Sequence, residues 1–165
     1  MEKFRVAVIT SSDSGFAGQR EDKSGPVIVD FVKNAGFEVV HTILLPDDNL
    51  MLEMEMARIC DENIADLILT TGGTGFSPRD VMPEATKAIS QKDVPGIPEA
   101  MRYFSLQITG RAMLSRAAAG IREKTLIVNM PGSPKAVTEC LEYILPHLTH
   151  VLEILTERTS NCARK

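Results

Sequence analysis

The chain has 165 residues, of which 44% are hydrophobic and 24% charged, with a formal net charge of −4 at pH 7. That size and apolar content suit one ordinary globular domain with a real core. The acidic balance, with no basic block, argues against nucleic acid as the main partner and against a polybasic membrane patch, so an anionic ligand needs a locally positive site.

Cys60, Cys140 and Cys162 are widely spaced and odd in number. Without a CxxC pair they predict neither a disulfide framework nor a zinc site, and free thiols suit a reducing compartment. The N-terminal residues Met1-Glu2-Lys3-Phe4-Arg5 run into a strand-like segment without a signal-peptide pattern, and no apolar run reaches the ~18 residues of a membrane span. The expectation is a soluble, cytoplasmic protein with one domain over residues 1–158 and a flexible tail over 159–165.

In chain order, residues 4–10 form a β-branched run ending in Ser11-Ser12-Asp13-Ser14-Gly15, a buried strand followed by a polar loop. Ser24 is a plausible cap and Gly36 a plausible stop for a helix carrying Val27, Phe31 and Val32. Residues 37–45 read as a second strand, closed by Pro46-Asp47-Asp48-Asn49, whose acids can cap a helix over 50–60. Met51, Met54 and Met56 of that helix are read as core filler. A third strand over 64–70 delivers Thr70-Thr71-Gly72-Gly73-Thr74-Gly75, and strand, helix, strand, helix, strand predicts a three-layer α/β/α sandwich with a mainly parallel sheet.

Helices are expected over 83–90 and 97–109. Residues 111–122 have helix-favouring alanines but stand before another strand, and extended structure is expected there. Residues 125–129 form a strand. Met130-Pro131-Gly132-Ser133-Pro134-Lys135 then turns into a helix bearing Val137, Cys140, Leu141 and Ile144 on one face. Pro146 should kink or end that helix before a helical pattern resumes at 148–155. His147 and His150 lack acidic or cysteine partners in sequence and read as solvated or packed.

The chemistry gathers at three turns, 11–14, 72–80 and 131–135, which parallel strands bring to one sheet edge, with Asp47 following a fourth strand. Three glycines in four positions let backbone amides approach a ligand closely, in the manner of a phosphate-binding loop. The spacing matches neither a P-loop nor a dinucleotide fingerprint, and the same loop has an architectural reading as a corner after a buried strand. Lys135 beside Gly132-Ser133 makes a second anion cradle. Asp47 and Asp80 are candidate magnesium ligands, although each also has an ordinary role as helix cap or arginine partner. Ser115 and Ser133 lack a histidine base, so the nucleophile of any reaction belongs to the substrate.

The glycine segment, continuing through Phe76-Ser77-Pro78-Arg79-Asp80-Val81 and Pro83-Glu84-Ala85-Thr86, resembles the signature of the MogA/MoaB family, which includes the G domain of gephyrin and its plant counterpart. The resemblance extends through Ser12-Asp13-Ser14, Glu21-Asp22-Lys23-Ser24-Gly25, Pro46-Asp47, Leu114-Ser115-Arg116, Gly120-Ile121-Arg122 and Asn129-Met130-Pro131-Gly132-Ser133. It implies a homotrimer that binds molybdopterin and, in active members, adenylylates it with magnesium-ATP, upstream of a molybdate-inserting enzyme. It also implies catalytic roles for Asp47 and Asp80, acting through Mg2+. Thr71, Gly72, Gly73, Thr74 and Gly75 carry over as pocket loop, Ser12 and Asp13 as nucleotide side, and Ser115, Pro131, Gly132 and Ser133 as further pocket positions. The MoaB side of the family implies an alternative, a molybdopterin-binding carrier without catalysis. Met82 stands where many relatives have threonine, which predicts the loss of a loop hydrogen bond worth ~1 kcal/mol.

Overall fold

The computed structural model describes residues 3–158. The expected tail over 159–165 and Cys162 lie outside the described residues. A six-stranded sheet runs in the order β2-β1-β3-β6-β5-β4. Strands β1 (Arg5–Ser11), β2 (Glu38–Leu45), β3 (Leu67–Thr71) and β6 (Thr125–Met130) are mutually parallel; β5 (Ala119–Arg122) runs antiparallel to β6, and the short β4 (Lys92–Asp93) antiparallel to β5. The sandwich is therefore three-layered and mainly parallel.

Alternation along β1 explains the layering. Val6 and Val8 join one apolar cluster with Ile28 and Val32 of α2 (Ser24–Asn34), Met101 of α5 (Gly96–Leu106) and the buried face of α6 (Pro134–Leu155). Ala7 and Ile9 point the other way, into a second cluster with Leu52, Met56 and Ile59 of α3 (Asn49–Asp61) and Ala85 and Ile89 of α4 (Met82–Ile89). Successive strand residues face opposite sides, so one buried strand serves two cores.

Four expectations need correction. Met51 and Met54 are 41% and 64% exposed, and only Met56 is core. The buried stripe of α3 is Leu52, Met56, Ile59 and Cys60, a helical spacing that leaves positions 51 and 54 outside it. Ser24 does not cap α2; the Asp22 carboxylate accepts the Ser24 and Gly25 N–H groups at 3.1 and 3.0 Å. Residues 111–122 are only half extended, because Gly110–Leu114 forms a 3-10 turn before β5 pairs with β6 as a hairpin. Finally, α6 is one 22-residue helix with Pro146 inside it. Pro146 is exposed while Ile144, Leu145 and Leu148 beside it are buried, so apolar burial carries the helix through the missing hydrogen bond.

A buried polar knot locks the site-bearing strands. Asn129 is fully buried; its Nδ2 donates to Thr70 Oγ1 (3.1 Å) and Thr86 Oγ1 (2.8 Å), and its Oδ1 accepts the Ala118 N–H (3.0 Å). Asn129→Leu would strand those partners away from water. We expect a loss of about 2 kcal/mol, seen as a melting temperature about 4–8 °C lower.

Candidate active site

The parallel register brings the strand ends level. Ser11 pairs with Leu45, Thr10 with Thr71, and Thr71 with Met130, so the turns after β1, β2, β3 and β6 emerge together at one edge. Thr71 Oγ1 donates to Pro131 O (2.6 Å) and Ser24 Oγ to Gly132 O (2.6 Å), tying the glycine loop and the start of α2 to the turn after β6. Gly72 has φ +88° because its Cα side faces Ser11 O, which a Cβ would approach to 2.2 Å.

A pocket of about 220 Å³ opens between these turns. Of the residues expected from sequence, Ser12, Thr71, Gly72 and Gly132 line it. So do Arg20, Glu21, Asp22 and Lys23, which the sequence left without a role, and Ser24, which it marked only as a helix cap. Their signal was the run Arg20-Glu21-Asp22-Lys23 just before a helix start; Arg20 and Lys23 bring two cations to the lining, where Glu21 and Asp22 balance them in formal charge. Ser115 and Pro131 instead line a neighbouring pocket of about 210 Å³ under α5 and α6. Ser133 caps α6, its Oγ accepting the Ala136 N–H at 3.4 Å. A larger groove of about 580 Å³ beside the free edge of β2 shares only Thr10 and Asp22 with the site pocket and contains none of the glycine-loop residues.

Asp13 and Asp47 form a hydrogen-bonded pair after β1 and β2. Asp47 Oδ1 accepts from Ser11 Oγ (2.5 Å) and Oδ2 from the Asp13 N–H (3.0 Å), while the Asp47 N–H donates back to Asp13 Oδ1 (3.0 Å). Capping of α3 falls to Asp48, which accepts the Met51 N–H, leaving Asp47 to this network. Arg79 reaches across from the glycine loop with two 2.9 Å bonds to Asp13. Asp80 Oδ2 accepts the Ser77 N–H at 2.8 Å. Asp13, Asp47 and Asp80, which lie far apart in sequence, thus belong to one linked set of turns, with Gly73, Thr74 and Gly75 between strand and acid.

The description "Probable molybdopterin binding domain" matches residues 7–150. The chain is 39% identical over 157 residues to a protein of Helicobacter pylori (strain J99) called molybdopterin adenylyltransferase, covering 94% of this chain and 89% of that one. The chain belongs to the MogA/MoaB family. An Escherichia coli (strain K12) member, also called molybdopterin adenylyltransferase, is 39% identical over 86% of this chain and 74% of its own. The solved MoaB of Thermus thermophilus superposes with a TM-score of 0.88 at 45% identity, covering 93% of this chain and 97% of that one.

In this MogA/MoaB chain, Met82 is fully buried in the core on the α3–α4 side, and its N–H donates to Gly73 O (3.1 Å). Among the described residues no buried side-chain polar atom lacks a partner, so the absent threonine hydroxyl leaves no orphan behind and apolar burial takes its place.

The Arg79 bonds, with help from the Asp47 N–H, hold the Asp13 carboxyl below its usual range. A depressed pKa favours the folded state above the ordinary carboxylate range, and the effect fades as pH falls through the lowered value. Arg79→Gln should therefore move the Asp13 titration up toward the ordinary carboxylate range, as read by carboxyl-carbon NMR. A wild-type Asp13 titrating at the ordinary value would mean that the pair is not formed in solution.

Among the described residues no three His, Cys, Asp or Glu side chains converge to hold a metal by themselves. Asp47 and Asp80 offer two carboxylates, each oxygen with a lone pair beyond its hydrogen bond. That donor set fits magnesium, which takes one or two carboxylates and completes its shell with phosphate oxygens and water. His147 and His150 lie on α6 away from this edge, His147 edge-on to Tyr143 and His150 beside Glu153. No helix among the described residues is long and apolar enough to cross a membrane.

Proposed function

We propose that this protein transfers AMP from magnesium-ATP to molybdopterin, giving adenylyl-molybdopterin and pyrophosphate. A phosphate oxygen of molybdopterin attacks the α-phosphorus of ATP; the bond from that phosphorus to the bridging oxygen breaks, and pyrophosphate leaves with the electron pair. The observation that carries this reading is the joining at one sheet edge of a glycine loop, a pocket with two cations and two hydrogen-bonded acids, in a chain similar over nearly its whole length to proteins called molybdopterin adenylyltransferase.

The family resemblance suggests the roles, and the geometry supports them. Gly72, Gly73, Thr74 and Gly75 present backbone close to the phosphates, with Ser12 and Asp13 on the nucleotide side and Arg20 and Lys23 adding positive charge. Ser11 and the Asp13 N–H aim the Asp47 carboxylate, and the Ser77 N–H aims that of Asp80. Magnesium held by Asp47 and Asp80 supplies charge neutralisation at the phosphates when bound. Thr71 and Gly132 complete the wall of the same pocket, Ser115 and Pro131 line the neighbouring one, and Ser133 shapes the turn between them.

The proposed working unit is a cytoplasmic homotrimer of the single domain over 1–158, passing its product to a molybdate-inserting enzyme. The exposed Tyr103, Leu106, Ile108, Met113 and Leu114 on α5 and the 3-10 turn support an association surface.

The test is purified protein with molybdopterin and magnesium-ATP, followed for adenylyl-molybdopterin and pyrophosphate in equal amounts. Molybdopterin bound without product would overturn the enzyme and leave the MoaB-type carrier.

A further inference from the structure

Between Gly72 and Asp80 the chain has no regular secondary structure, and its internal bonds are confined to one turn, in which the Asp80 N–H donates to Ser77 O (2.9 Å), the Ser77 N–H to Asp80 Oδ2 (2.8 Å) and the Arg79 N–H to Ser77 Oγ (3.4 Å). Such a segment stays in one conformation only if groups outside it hold its backbone. A single residue provides three of those contacts. The Arg116 N–H donates to Thr74 O (3.0 Å), its Nε to Gly75 O (2.7 Å), and its Nη2 to Asp80 O (2.7 Å). The same guanidinium pairs with Glu84 in the first turn of α4. Arg102 of α5 in turn donates to Ala117 O (3.1 Å), which steadies the segment that carries Arg116.

Gly75 and Asp80, the two residues whose carbonyls share the guanidinium, also touch each other: a Cβ on Gly75 would stand 2.8 Å from Asp80 Oδ2. The Ser77 N–H holds the Asp80 carboxylate directly, and Arg116 fixes the carbonyls of Gly75 and Asp80 on either side of that turn. Glycine lowers the loop's own stiffness, so the external fork carries the geometry. The planar guanidinium can serve two carbonyls and a carboxylate at once, whereas a lysine ammonium is a point charge on a flexible stem.

We propose that Arg116 is a positioning residue, fixing Asp80 through the main-chain carbonyls of Gly75 and Asp80 rather than touching substrate. Its kinetic consequence rests on the adenylyl-transfer reading above; its structural consequence does not. Displacing a reacting group by about an ångström costs about 100-fold in rate.

The test compares wild type with Arg116→Lys and Glu84→Gln by amide hydrogen exchange over residues 74–81 and by transfer kinetics. R116K should raise exchange there about tenfold and lower kcat about 30- to 100-fold, with KM for ATP within about threefold. E84Q, which frees one end of the guanidinium but keeps the fork, should move exchange and kcat the same way by about two- to fivefold. Wild-type loop exchange in R116K, or in E84Q should R116K not fold, overturns the proposal. So does a rise in KM with kcat unchanged, since that would make Arg116 a binding group. If wild type itself makes no adenylyl-molybdopterin, the functional reading falls while the exchange comparison still decides the role of Arg116.

Discussion

Asp80→Asn is expected to lower adenylyl transfer about 100- to 1,000-fold while leaving the melting temperature nearly unchanged. The asparagine oxygen can still accept the Ser77 N–H that the Asp80 carboxylate accepts at 2.8 Å, so what is lost is the charge. Asp47→Asn should lose a similar factor in rate but also ~1 kcal/mol of stability. Its amide can turn its oxygen to the Asp13 N–H and its NH2 to Ser11 Oγ, which keeps both contacts and removes only their charge assistance. Initial rates at saturating magnesium-ATP, beside melting curves, separate the two effects. More than about a tenth of wild-type rate in D80N would sink the role of Asp80 as an essential charged group.

Gly72→Ala should cost about 4 kcal/mol, lowering the melting temperature by about 8–16 °C, and should abolish stabilisation by magnesium-ATP. Gly72 has φ +88°, and its added Cβ would stand 2.2 Å from Ser11 O. That oxygen cannot retreat cheaply, because Ser11 is buried at the end of β1 and the next N–H, of Ser12, donates to Leu45 O (2.9 Å). Gly132→Ala is the contrasting case. Its Cβ would meet nothing closer than 3.7 Å, so a loss of no more than about 0.5 kcal/mol is expected. Equal melting temperatures for the two variants would refute the argument from close approach.

The strands that feed the site were legible because burial on both faces writes itself as an apolar run. Arg5–Ser11, Leu67–Thr71 and Thr125–Met130 are buried almost throughout and lie within a few residues of the predicted segments. The glycine loop and the acids at 47 and 80 were legible for a different reason: their residue types and spacing resemble a family signature. The positions that escaped were those whose meaning depends on a distant partner. Met51 and Met54 look like core by composition, yet the phase of α3 against the sheet turns them to solvent. Arg20 and Lys23 are exposed loop charges in the structure as in the sequence, and only the turn after β6 opposite them makes them part of a pocket.

What the sequence determined by itself was local: periodicity set the elements, buried runs set a parallel sheet, and glycine, proline and acid placement marked the edge that carries the proposed site. What the tertiary structure decided was how those marks are joined. Asp47 meets Ser11 from 36 residues away, Arg79 meets Asp13 from 66, and Arg116 holds Gly75 from 41. Hydrogen bonds of that separation leave no periodic trace along the chain, because they depend on strand order and register rather than on neighbouring residues.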